Sequence, residues 1–107
     1  LAGADVAVPA PDDPVITDGD KYTVLLDNAR VRVLSYADSP GQRTHQHRHP
    51  AFVLYALAPF KRRLTLADGR VLNRSFRAGD VLYSDGEAHI GENTGDTPTQ
   101  VILIELK

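Results

Sequence analysis

"GQRTHQHRHPAF", residues 41–52, sets His45, His47 and His49 at alternate positions just before the apolar run Phe52-Val53-Leu54-Tyr55. In an extended chain successive side chains alternate faces, so these three imidazoles share one face. Neighbouring members stand roughly 6.5–7 Å apart at the backbone. Two rings at that spacing can lean together and bring their nitrogens to about 2.0–2.1 Å from one metal ion. Parity carried past Pro50 adds Ala51, Val53 and Tyr55 to the same face. Tyr55 is then the candidate catalytic hydroxyl beside the ligands. The competing reading is a solvated loop, since Arg43 and Arg48 are interleaved with the histidines.

Outward from this stretch the chain reads as short β-like runs divided by turn residues. "KYTVLL" ends at Asp27-Asn28 and "RVRVLSY" at Asp38-Ser39-Pro40-Gly41. "RRLTL" and "RVLNRSF" flank Asp68-Gly69, a dipeptide suited to a tight hairpin because the turn needs positive φ. "DVLYS", the Gly-rich stretch 85–96 and "TQVILIEL" complete the series. No amphipathic helical window survives, and strands at this spacing indicate an all-β sandwich or barrel. In "TQVILIEL" both faces are apolar, Val101 and Leu103 on one and Ile102 and Ile104 on the other. Such a strand is expected to be covered on both sides, by the amino-terminal arm or by a second subunit. Residues 1–19, rich in Ala, Pro and Asp, read as an extended arm, and 20–107 as the barrel domain.

The 107 residues suit one modest core, and the net charge of −2 offers no field for nucleic acid or anionic membrane. No apolar run approaches the roughly 20 residues of a membrane span. Cysteine is absent, which removes disulfides, thiolate ligands and cysteine nucleophiles. Methionine is absent too, so the chain reads as processed or trimmed, and a cytoplasmic or an exported location fits equally. The basic residues Lys61, Arg62, Arg63, Arg70, Arg74 and Arg77 cluster around the Asp68-Gly69 hairpin, where a charged edge discourages intermolecular strand pairing.

The fourth histidine, His89, lies in "GDVLYSDGEAHIGENTGD", among glycines and acidic residues. Glu87 and Glu92 flank it as candidate partners for a ligating imidazole. Glu92, of opposite parity, is expected instead to fix the turn or pair with an arginine. Gly41, His47 and His49 in the pattern G-x5-H-x-H, with Gly79, Gly86, His89 and Asn93 downstream, resemble the paired motifs of the cupin superfamily. The likeness covers roughly residues 30–107, and the final stretch "GENTGDTPTQVILIELK" is similar to small bacterial cupins, including ones linked to β-alanine degradation.

That resemblance implies a small jelly-roll, a double-stranded β-barrel, with His47, His49 and His89 as metal ligands in its mouth. Val53 and Leu54 stand where the family's motif supplies a glutamate ligand, and the second motif, "YSDGEAH", is one residue short. His45 is then a candidate fourth ligand or a supporting group. Three neutral imidazoles favour Zn, Fe, Ni or Cu over Mg or Ca, with at least one coordination position open. The function expected is an enzyme acting on a small polar or carboxylate-bearing molecule, by dioxygenase-like or Lewis-acid chemistry. The alternative is a non-catalytic module that binds a metal or small molecule. A homodimer is expected, as for similar small cupins.

Overall fold

The computed structural model describes residues 9–107; the first eight residues of the expected arm lie outside the described residues. One helical turn, α1 (Pro14–Thr17), precedes nine strands. These are β1 (Tyr22–Asp27), β2 (Val31–Asp38), β3 (His47–His49), β4 (Phe52–Ala56), β5 (Phe60–Leu66), β6 (Val71–Phe76), β7 (Val81–Ser84), β8 (Glu87–Asn93) and β9 (Thr99–Leu106). They form two antiparallel sheets, ordered β1-β2-β9-β4-β7 and β3-β8-β5-β6. From β2 onward the chain shuttles between the two sheets, which is the winding of a jelly roll. Asp68-Gly69 makes the expected hairpin between β5 and β6, with Gly69 at φ +90°.

Alternation along the strands builds the core. Leu34 and Tyr36 of β2 point inward, as do Val101 and Leu103 of β9, against Tyr22, Phe52, Ala56 and Phe60. Fully burying a side chain such as Leu34 contributes about 1.5–3 kcal/mol. Ile102 and Ile104 take the outer face of the five-stranded sheet and are only half-buried. In register beside them stand Val53 and Tyr55 of β4, followed by Tyr83 and Val81 of β7.

Two expectations change. Parity does not carry past Pro50, because β3 belongs to one sheet and β4 to the other, and the crossing resets the alternation. Phe52 and Leu54 therefore face inward, and Tyr55 faces out, 42% exposed. The arm is also not wholly extended. Asp13 caps α1 by accepting from the Val15 N–H at 3.0 Å, and Pro14 opens the turn. The turn packs on β1 and β3, and the Arg48 N–H donates to the Asp12 carbonyl at 2.9 Å. Among the described residues no helix is long and apolar enough to cross a membrane.

Candidate metal centre

Antiparallel pairing of β3 with β8 sets His47 directly opposite His89, and His49 opposite Glu87. Gly86, at φ +99°, permits this approach: a side chain there would come within 2.8 Å of the His49 carbonyl oxygen. The three rings form a nearly regular triangle, with centroids 4.7 Å apart for His47–His49 and 5.0 Å for each pairing with His89. All three are buried, and one ring nitrogen from each lies within 4.8 Å of the other two. A common centre is then at most about 2.8 Å from each nitrogen, a fraction of an ångström of ring rotation from the 2.0–2.1 Å of a Zn–N bond.

Behind each ring stands a carboxylate. Asp18 Oδ2 lies 3.0 Å from His47 Nδ1, and Glu87 Oε2 lies 2.6 Å from His89 Nδ1. Glu105 Oε2 lies 3.5 Å from His49 Nδ1, and neither of these buried atoms has a hydrogen-bond partner among the described residues. With every Nδ1 turned toward a carboxylate, Nε2 is the nitrogen left for the centre, the arrangement that fixes a ligating imidazole's tautomer and orientation. The residues therefore fit a divalent transition metal.

The electrostatics keep these donors ready. Burial, reinforced by the charge His49 would carry, lowers His47 to about 4 against the pull of Asp18. Burial likewise lowers His89, although the bond to Glu87 opposes it. Both rings are neutral at pH 7, the form that ligates. For Glu87 the hydrogen bond from His89 is the main cause holding the carboxyl low. In Asp18 burial acts upward but is outweighed by hydrogen bonds, and in Glu105 it is outweighed by the neighbouring His49 and the Arg32 guanidinium, so both stay ionised. Arg32 completes the set, with Nε 2.7 Å from Glu105 Oε1 and Nη2 3.0 Å from Asp13 Oδ1. The carboxylates of Asp18, Glu87 and Glu105 thus stand just outside the ring triangle, in a site whose motif lacks its ligand glutamate.

The triangle opens on a cavity of about 150 Å³. Leu54, Leu64, Phe76 and Leu82 give it an apolar wall, with Tyr22 beside the rings and Arg62 and Arg74 on the inner face of the four-stranded sheet. Arg62 is no part of a solvated edge. It is clamped by Asp38 Oδ2 at 2.6 Å, and Asp38 is held in turn by Asn93 at 3.0 Å.

His45 does not join the triangle. It precedes β3, its side chain is 81% exposed, and its Nδ1 contacts Asp18 Oδ1 at 3.1 Å. Tyr55, the expected catalytic hydroxyl, lies outside the cavity for the reason given above. Glu92 approaches Arg63 at 3.5 Å, while Glu87 supports His89. Asp18, Glu105 and Tyr22 were not singled out in the sequence. Glu105 had a legible signal, an acidic residue on the core-facing parity of an apolar strand, whereas Asp18 had none.

Two sheets exchanging strands around a buried histidine triangle define a double-stranded β-helix protein with a candidate metal centre. No family model matches the chain, and neither does any curated protein. Solved structures do. A cupin domain from Bordetella pertussis Tohama I is 28% identical with a TM-score of 0.73, over 80% of this chain and 91% of that one. A conserved protein with a double-stranded β-helix domain from Klebsiella pneumoniae subsp. pneumoniae MGH 78578 is 19% identical, with a TM-score of 0.65 over 99% and 87%. An oxalate decarboxylase structure is 28% identical with a TM-score of 0.57, over 73% of this chain but 22% of that one. The chain is a small domain of the cupin superfamily.

Proposed function

We propose that this cupin is an enzyme that holds one divalent transition metal on His47, His49 and His89 and acts on a small, carboxylate-bearing molecule. The observation that carries the reading is the buried imidazole triangle, each ring backed by a carboxylate, at the wall of a cavity. A bound zinc or nickel ion would supply Lewis acidity there, and iron or copper would add redox chemistry. Asp18, Glu87 and Glu105 orient the donors. Leu54, Leu64, Phe76 and Leu82 exclude water from the reacting end.

Arg74 lines the cavity without an ion-pair partner among the described residues, and it supplies the cationic attraction for a substrate carboxylate. A cavity near 150 Å³ suits a ligand of about six heavy atoms, the size of benzene. Likeness to an oxalate decarboxylase supports a substrate of this kind.

Metal analysis of protein purified without an affinity tag tests the reading, followed by turnover of a panel of small carboxylates by iron- and zinc-loaded protein. One equivalent of metal is expected, abolished in the His47→Ala/His49→Ala double variant while the β-sheet circular dichroism persists. Metal retained by that variant overturns the site. Tight binding of a carboxylate without turnover of any panel member favours the non-catalytic module instead. A homodimer is part of the proposal, built on the apolar outer face around Tyr55, Val81 and Tyr83.

A further inference from the structure

Tyr22, the first residue of β1, is buried at 8% exposure. Its ring packs on Tyr36 at 4.6 Å between centroids and meets His47 edge-on at 5.7 Å. Among the described residues its hydroxyl has one polar neighbour within reach, His47 Nε2 at 3.5 Å. A buried phenol needs a partner. Yet Nδ1 of the same ring is engaged by Asp18, so Nε2 is also the nitrogen that a metal would take. One lone pair cannot serve both. Loading the site therefore frees the Tyr22 O–H, and leaving it unpaired in a buried place is costly. The acceptor it can find is an oxygen atom in the coordination position next to His47.

We propose that Tyr22 is a specificity-determining residue: its hydroxyl donates to the oxygen of a carboxylate or hydroxyl ligand in that open position, selecting oxygen donors over nitrogen donors that carry no acceptor. The inference rests on the metal reading above. An ordinary phenol is protonated at neutral pH, so the hydroxyl can donate. Tyr55, with its hydroxyl on the outer face, has no such access.

The test loads wild-type protein and Tyr22→Phe with Co(II) and follows its visible absorption while acetate, and separately imidazole, is added. Tyr22→Phe is expected to bind Co(II) within about threefold of wild type, because the phenol is not a ligand. Its acetate affinity should fall about ten- to a hundredfold, the worth of a hydrogen bond to a charged group. Imidazole affinity should hold or rise, since the variant has no hydroxyl left to strand, and Tyr55→Phe should change neither. Equal acetate affinity in Tyr22→Phe and wild type overturns the inference, as does a parallel loss of acetate and imidazole binding. Should wild type show no Co(II) band, the metal reading itself fails and the inference with it; a normal band without acetate selectivity sinks the inference alone. If Tyr22→Phe does not fold, fluorotyrosine-labelled wild type loaded with zinc decides the matter by ¹⁹F NMR. Acetate should then move the Tyr22 resonance, and an unmoved Tyr22 signal at saturating acetate overturns the proposal.

Discussion

Acidifying the metal-free protein from pH 7 to pH 5 is expected to remove about 2 kcal/mol of folding stability, most of it through His47. That ring is 1% exposed and faces His49 on its own strand, His89 on β8, Asp18 after α1 and Tyr22 on β1. Burial is the largest influence, and the net result is a value near 4 against an ordinary 6.5. Since the folded value lies below the unfolded one, the unfolded chain takes the proton first. The stabilisation is therefore complete above the unfolded value and lost as pH falls toward the folded one. At pH 5 the unfolded ring is almost fully protonated and the folded ring mostly neutral, a ratio of about 30 and hence the stated 2 kcal/mol. His89 shifts in the same direction and adds to the loss. The carboxylates do not confuse this window: Asp18, Asp38, Glu87 and Glu105 are held low, so their contribution is lost only below the ordinary carboxylate range. Urea denaturation of chelator-treated protein at pH 7, 6 and 5 measures the effect, and His47→Gln should remove most of it. Stability that is flat across this interval, or equally pH-dependent in the variant, refutes the reasoning.

Three further outcomes are expected. Asp18→Asn keeps the size of the side chain but takes the anion from behind His47, and should weaken metal binding about 10–100-fold in competition with a chromophoric chelator. Arg62→Met leaves the buried Asp38 without its cation and should cost about 3–5 kcal/mol in urea denaturation, far beyond an ordinary surface substitution. Sedimentation should show a dimer, and Val81→Lys together with Tyr83→Lys should shift it to monomer without loss of metal.

The strand succession and the histidine cluster are legible because both depend on short-range patterns. Asp68-Gly69 announces its hairpin, and His47 and His49 share a face by spacing alone. Tyr55 falls on the outer face because alternation holds only within one sheet, and nothing local in "HRHPAF" reveals that the chain changes sheets at Pro50. His45 fits the same periodicity but precedes the strand, where the rule no longer governs. Asp18 escaped because its role depends on one helical turn folding back over β3, and four residues are too few for periodicity to register. Arg62 looked like its basic neighbours; only the pairing of β5 with β8 and the place of Asp38 on β2 reveal a buried clamp. The narrower likeness to β-alanine cupins finds no counterpart among the structures named above.

The anions behind the imidazoles come from positions 18, 87 and 105, so the pocket is stitched together from distant parts of the sequence. Long-range closure of this kind is slow and comes late in folding. Until β9 has slotted between β2 and β4, the ring of His49 has no anion behind it. A chain still lacking that strand would present His49 without its anion, so the proposed metal site is complete only once β9 is in place.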